Sequence, residues 1–269
     1  HRTIDEYHVN GGMITVTLFI RRFLGITGPY GAIGTACSSS AKVFASAARA
    51  IEAGLCDAAI VAGAEGFSQT LLHGFRNLGV LSTNPCRPWD RQRDGINIGA
   101  AAGFVLLERS PASPHNMRLV GFGETSDGYH MTAPHPEGIG VELSMRKALQ
   151  SAGLRPQEID YINVHGSATP MNDTSEDAIH RIFGPGMTCS STKGWTGHTQ
   201  GASGITEAIL LLMSMQENLA PASLNTEDVD PKLVSRILLD NEEMPIRYGL
   251  TNSMGFGGNN SSLIFGAPQ

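Results

Sequence analysis

The spacing of apolar and polar positions divides the chain into short elements of two kinds. Met13–Leu24 predicts a helix ended by Gly25, with Gly28-Pro29 breaking the chain before the next element. Tyr30–Ala36 is a short apolar run and predicts a strand. Lys42–Glu52, rich in Ala with Val43, Phe44 and Ile51, predicts a mostly buried helix with a stop signal at Gly54. Ala58–Ala62 and Gly103–Glu108 are continuous apolar runs of the buried-strand kind. Leu78–Asn97 between them is rich in loop residues. Ser110–Pro114 is the candidate boundary between a first half, 1–114, and a second, 115–269.

The second half opens with a strand, Arg118–Gly123, and a helix, Val141–Ser151. The strand Ile159–Val164 delivers His165, and a helix follows around Glu176–Phe183. Thr188–Thr192 is a strand-like piece. Gly204–Gln216 is apolar nearly all round, which predicts a central core helix. Tyr248–Asn252 and Ser261–Phe265 predict a strand pair about a glycine-rich turn. Strands alternating with helices predict an α/β fold with mixed or parallel sheets. The unit of small residues, apolar helix and strand from Cys37 to Val61 is echoed from His198 to Leu219. Two similar halves would bring Cys37 and His198 close to a common pseudo-dyad.

Composition narrows the function classes. The chain has 269 residues, 41% hydrophobic and 16% charged, enough to bury a sizeable core. A net charge of -6 argues against general nucleic-acid binding. Cys37, Cys56, Cys86 and Cys189 are widely spaced with no CxxC pair, which fits free thiols in a reducing, cytoplasmic setting. The histidines show no HExxH or paired spacing, so no metal site is expected. The longest apolar runs, Met13–Ile20 and Ile205–Met215, fall short of the ~20 residues of a membrane span. The chain begins at His1 and not at Met, which points to a processed, trimmed or fragmentary chain.

Four clusters carry candidate chemistry. Cys37 lies in Gly34-Thr35-Ala36-Cys37-Ser38-Ser39-Ser40-Ala41, where the predicted strand turns into a helix. Unpaired N–H groups and the helix dipole at such a junction stabilise a thiolate, which predicts a nucleophile near neutral pH. The alternative is a buried small hydrophobe, the commonest role of a free Cys. His165-Gly166-Ser167-Ala168-Thr169-Pro170 ends an apolar strand, where α/β folds build their sites. Ser190-Ser191-Thr192-Lys193-Gly194-Trp195-Thr196-Gly197-His198 leads into the core helix. Asn252-Ser253-Met254-Gly255-Phe256-Gly257-Gly258-Asn259-Asn260 offers backbone N–H groups to an oxyanion. Taken singly, His165 reads more readily as a hydrogen-bonded structural histidine and Lys193 as a solvated surface charge, and the glycine turn reads also as a tight hairpin.

In that order, the four motifs resemble the β-ketoacyl–acyl carrier protein synthases of the thiolase superfamily. Arg87-Pro88-Trp89-Asp90 and Arg93-Asp94-Gly95 resemble theirs as well. The resemblance runs from Leu24 to Phe265 and is nearest to the ketosynthases of type II polyketide and aryl-polyene-like pathways. It implies a layered αβαβα fold of two similar halves. It also implies a decarboxylative condensation of an acyl thioester with malonyl-acyl carrier protein, in fatty acid or polyketide chain elongation. Cys37 would carry the acyl group, and His165 and His198 would bind the malonyl thioester. The N–H groups of Cys37 and Phe256 would form an oxyanion hole. Phe256 would gate the acyl channel, with Met254 and Gly257 beside it. Lys193, paired with Glu176, would hold the histidines, and Ser167 and Thr169 would bond the phosphopantetheine arm. No cofactor is expected beyond that arm, which the carrier protein brings.

The resemblance further implies a homodimer, or a heterodimer with a related ketosynthase-like subunit, the strand before Cys37 lying near the interface. Arg21, Arg22, Arg87 and Arg91 are candidate contacts for an acidic carrier protein. The pattern also departs from the family. Only 36 residues precede Cys37, so the first half-sheet is expected to be incomplete. Ala100 stands where an acidic residue is usual, Met254 where Phe is, and Ser167 where Thr is. A thiolase or Cys-His-Asn enzyme fits less well, because the motifs hold two histidines. A non-catalytic partner of the chain-length-factor kind, or an inactive fragment, is the alternative from a different class. Such partners lack the cysteine.

Overall fold

The computed structural model describes residues 12–109 and 117–268. The expected boundary at Ser110–Pro114 lies outside them. In chain order the helices are α1 (Thr15–Phe23), α2 (Ser39–Glu52), α3 (Gln69–Asn77), α4 (Ile139–Ala152), α5 (Pro170–Glu176), α6 (His180–Phe183), α7 (Lys193–Thr196) and α8 (Ser203–Glu217). The strands are β1 (Ala58–Glu65), β2 (Ala101–Glu108), β3 (Arg118–Ser126), β4 (Tyr161–Asn163), β5 (Thr188–Ser190), β6 (Leu219–Ala220), β7 (Arg236–Ile237), β8 (Glu242–Glu243), β9 (Tyr248–Gly255) and β10 (Asn259–Gly266).

A six-stranded mixed sheet in the order β3-β10-β9-β4-β5-β7 forms the centre, and β1 and β2 pair antiparallel in a second sheet. The hairpin β9–β10 is antiparallel, whereas β4, β5 and β7 run parallel. Side chains of the central sheet alternate between two cores, as the period of two requires. Ile162, Leu250 and Ile264 face α4 with Val141, Met145 and Ala148. Tyr161, Leu263 and Phe265 face α2 and α8 with Phe44, Ile205 and Leu211. Val61 of β1 joins the α2–α8 side, so the layers read two-stranded sheet, α2 and α8, six-stranded sheet, then α4. This is a thiolase-like α/β architecture.

The two central helices meet at their starts. A Cβ on Gly204 would lie 2.3 Å from the Ala41 nitrogen, so only glycine permits the crossing. Ser40 Oγ accepts the Ile205 N–H at 3.0 Å, which satisfies one orphan donor of α8 from its neighbour. Each helix is entered through a one-turn 3-10 segment, Ala36–Ser38 before α2 and Gln200–Ala202 before α8. Each segment opens on a non-glycine residue with φ 51°, Ala36 and Gln200. Left-handed non-glycine backbone is costly and persists where surrounding structure fixes it.

Four sequence expectations change. Tyr30–Ala36 forms no strand, because it has no ladder partner among the described residues. Gly103–Glu108 is not buried on both faces: the run alternates, with Phe104 75% and Leu106 56% exposed. The helix expected around Glu176–Phe183 is split by a 3-10 turn, Asp177–Ile179, between α5 and α6. Helix α3, unread in the sequence, occupies part of the stretch between β1 and the Leu78–Asn97 loop.

Candidate active site

Cys37 is buried in the 3-10 turn that opens α2. Hydroxyls hold that turn: Ser38 Oγ donates to the Thr35 carbonyl at 2.9 Å, and Ser39 Oγ accepts the Thr35 N–H at 2.9 Å. The expected stabilised thiolate is corrected here. Burial pushes the Cys37 thiol up to about 12, with Lys193 pulling the other way and Glu207 and Glu65 adding to the rise. Desolvation of an anion outweighs the helix terminus in this pocket. Alkylation of Cys37 by iodoacetamide, followed by intact mass, should therefore climb about tenfold per pH unit from 7 to 10 without levelling, since the thiolate is the reactive form. An ordinary thiol would level near 9.0.

His165 lies two residues beyond the end of β4 and is fully buried. The loop after it is fixed by carboxylates accepting backbone donors. Glu176 accepts the N–H groups of His165 at 2.6 Å and Gly166 at 2.7 Å, and Asn252 Nδ2 at 2.8 Å. Asp173 accepts the N–H groups of Ala168 at 3.2 Å and Trp89 at 2.7 Å. Burial pushes Glu176 up to about 7 and Asp173 up to about 6, against those hydrogen bonds.

Lys193 does not pair with Glu176, as the sequence expectation had it. Its partner is Glu207 of α8, because Glu176 is already occupied by backbone donors on the other side of the His165 loop. Lys193 Nζ also donates to the His165 carbonyl and lies 3.2 Å from His165 Nδ1. An ammonium only donates, so Nδ1 accepts and Nε2 carries the ring proton. His165 Nε2 has no partner among the described residues. Burial, Lys193 and His198 hold the ring neutral, well below the usual histidine range.

His198 lies just before the turn into α8. Its Nδ1 receives the Gln200 N–H at 3.3 Å and is 2.9 Å from Ser203 Oγ. A backbone N–H also only donates, so this ring too has its proton on Nε2. Burial and Lys193 keep it neutral. The two rings meet edge to face, 5.2 Å between centroids at 86°.

The glycine-rich turn joins β9 to β10. Cys37, His165, His198, Met254 and Phe256 all line one cavity of about 250 Å³, with Ser167 and Thr169 at its wall. Ser167 Oγ and Thr169 Oγ1 are 2.9 Å apart. The Phe256 ring packs on Phe75 of α3 at 5.8 Å. The Phe256 N–H finds no backbone acceptor among the described residues, and the Cys37 N–H faces its own thiol. Gly257 is different: its N–H donates to the Met131 carbonyl at 2.7 Å, so that donor is spent within the protein. Lys193 and Glu176 stand behind the histidines and do not line the cavity.

Sequence reading missed Glu207, Asp173, Ser203 and Phe75. Glu207 left a signal, as a lone charge inside an apolar helix. Asp173, four residues after Thr169, left none that distinguishes it from a surface carboxylate. No helix of the described residues is long and apolar enough to cross a membrane.

Comparison with known proteins gives two family models: beta-ketoacyl synthase, N-terminal domain, matches residues 12–112, and its C-terminal domain matches 117–227. A 3-oxoacyl-[acyl-carrier-protein] synthase 2 of Vibrio cholerae is 38% identical over 94% of this chain and 65% of its own length. The Staphylococcus aureus protein of the same name is 36% identical over 90% of this chain and 62% of its own. The chain thus spans less than two thirds of these curated relatives. Among solved structures, the ketosynthase ApeO of Xenorhabdus doucetiae, in complex with its chain length factor ApeC, superposes with a TM-score of 0.92. It is 40% identical, over 99% of this chain and 68% of that one.

Proposed function

The chain belongs to the β-ketoacyl synthase family, and from that premise we propose that it is an acyltransferase that lengthens acyl chains by decarboxylative condensation. The observation that carries the reading is the cavity shared by one thiol and two neutral imidazoles whose Nδ1 atoms are both engaged by donors. Cys37 attacks an acyl thioester, and its proton passes to the departing carrier thiolate, so no net base is needed. The oxyanion forms beside the Cys37 and Phe256 N–H groups. A malonyl thioester then binds with its carbonyl toward the two Nε2–H donors. The carboxylate leaves as CO2, its electron pair forming an enolate whose oxygen those donors hold. The enolate carbon attacks the acyl-Cys37 carbonyl and the C–S bond breaks. Cys37 takes a proton from solvent, and a 3-oxoacyl thioester departs. The covalent intermediate divides one difficult step into two easier ones.

The remaining roles follow on the same footing. Ser167 and Thr169 bond the phosphopantetheine arm of an acyl carrier protein, and no bound cofactor takes part. Phe256, backed by Phe75, gates the acyl channel, and Met254 lines it. Arg21, Arg22, Arg87 and Arg91 remain the basic residues offered to the carrier, although Arg91 already pairs with Asp228. The protein works in the cytoplasm, as a homodimer or beside a ketosynthase-like subunit, in fatty acid or polyketide assembly, and its halves divide near 1–114 and 115–269. The complex of ApeO with a chain length factor supports the second assembly. Cys37 separates this chain from a non-catalytic partner. The test is a condensation assay with acyl- and malonyl-acyl carrier proteins read by mass spectrometry. A product two carbons longer, bearing a 3-oxo group, is expected; a protein that never acylates would overturn the reading.

A further inference from the structure

We propose that Ser203 is a positioning residue that, with the Gln200 N–H, holds His198 in its Nε2–H tautomer and sets the strength of that donor. The residue opens α8 and is buried at the foot of the ring. Its Oγ lies 2.9 Å from His198 Nδ1, and the Gln200 N–H lies 3.3 Å from the same nitrogen. Since the backbone N–H can only donate, Nδ1 holds a lone pair, and the Ser203 hydroxyl must donate to it as well. Its oxygen is then free to accept, and Thr199 Oγ1 donates to it at 3.4 Å. The result is a directed chain from Thr199 through Ser203 to the ring.

Two donors on Nδ1 have a definite effect. They draw electron density from the ring, so Nε2–H becomes a stronger donor to a developing oxyanion. They also oppose the imidazolium, whose Nδ1–H would point at the Gln200 N–H, a group that cannot turn to accept. The two rings are thereby set differently. His165 has a charged donor, Lys193, on its Nδ1, whereas His198 has a neutral hydroxyl and an amide. Ser203 further ties the ring to the helix pair that carries the thiol, because its neighbours Gly204 and Ile205 lie against Ala41 and Ser40 of α2.

The inference rests on the condensing-enzyme reading for its kinetic consequence alone. Its test compares the full chain with Ser203→Ala and Ser203→Thr. Labelling with 15N-histidine places the His198 ring nitrogens by NMR in the absence of substrate. The Nδ1 resonance should be of the unprotonated type in the parent protein and shift in Ser203→Ala. Loss of one neutral hydrogen bond to the ring should lower malonyl-thioester decarboxylation about 5- to 10-fold while Cys37 alkylation stays within about 2-fold. Ser203→Thr, which keeps the hydroxyl, should restore most of the rate. An unmoved Nδ1 resonance in Ser203→Ala, or equal losses in decarboxylation and alkylation, would overturn the assignment. A resonance shift in Ser203→Ala, with a parent protein that decarboxylates nothing, would uphold the role of Ser203 at the ring and count against the condensation reading.

Discussion

Cys37→Ala abolishes acyl transfer, with a loss on the order of 10^4-fold or more, the scale seen when a covalent nucleophile is removed. The substitution is small, in a residue that is buried with few polar demands, so the fold should survive. Malonyl decarboxylation depends on the imidazoles and not on the sulfur, and should persist. Intact mass after incubation with an acyl thioester, alongside CO2 release from malonyl thioester, separates the two activities. Loss of both in a folded variant would mean that the sulfur and the histidines do not act as independent halves of the site.

Lys193→Met should be the most damaging substitution outside the cavity wall. Lys193 is fully buried and serves Glu207, the His165 carbonyl and His165 Nδ1 at once. Its removal leaves a buried carboxylate without its charged partner, held only by the Ser253 hydroxyl at 3.4 Å, a loss of about 3–5 kcal/mol. The pH dependence has a definite sign. Burial already raises Glu207 above the ordinary carboxylate value of 4.5, and Lys193 is the principal influence holding it down. Without Lys193 the folded value rises further, so the folded state of the variant holds a proton that the unfolded chain releases. Its stability is then best below about pH 4.5 and falls as pH rises through the folded value. Urea denaturation between pH 5 and 8 measures this. The double variant with Glu207→Gln should recover much of the stability and lose the added pH slope. Parent and double variant share the fall that the raised Glu176 and Asp173 carboxyls contribute over that range, and Lys193→Met should fall more steeply than either. Decarboxylation should stay low in both variants, because His165 has lost its Nδ1 donor.

Much of the architecture can be read directly from the chain because its reactive residues stand at element ends marked by small residues. Cys37 follows Gly34-Thr35-Ala36, His165 ends an apolar run, and His198 precedes Gly201-Ala202-Ser203-Gly204. The repeat of a small-residue turn and an apolar helix corresponds to the paired starts of α2 and α8. Other features depend on partners that no local window contains. Tyr30–Ala36 has strand-like residues, but a strand exists only through its ladder. The run at β2 reads as doubly buried by its apolarity, yet Phe104 and Leu106 face outward, since apolar residues are not confined to cores.

The pairing of Lys193 was misread for a related reason. Glu176 and Glu207 are both buried carboxylates within reach of the histidine loop, and sequence does not rank them. Helical spacing would have helped: Ser203 and Glu207 are four apart on α8 and so share the face toward His198 and Lys193. The thiol was misjudged because a helix terminus is legible in sequence and desolvation is not. Burial of Cys37 depends on residues as distant as Met254 and Phe256, which close the cavity around it.

The most direct measurement is the condensation assay run as a single turnover. Protein acylated on Cys37 is freed of excess donor and mixed with malonyl-acyl carrier protein. The account predicts loss of the acyl mass from Cys37, release of one CO2 and appearance of one 3-oxoacyl thioester, all with the same rate constant. An acyl group that stays on Cys37 while CO2 is released, or that leaves only as free acid, would contradict a site in which the sulfur and both imidazoles serve one carbon–carbon bond.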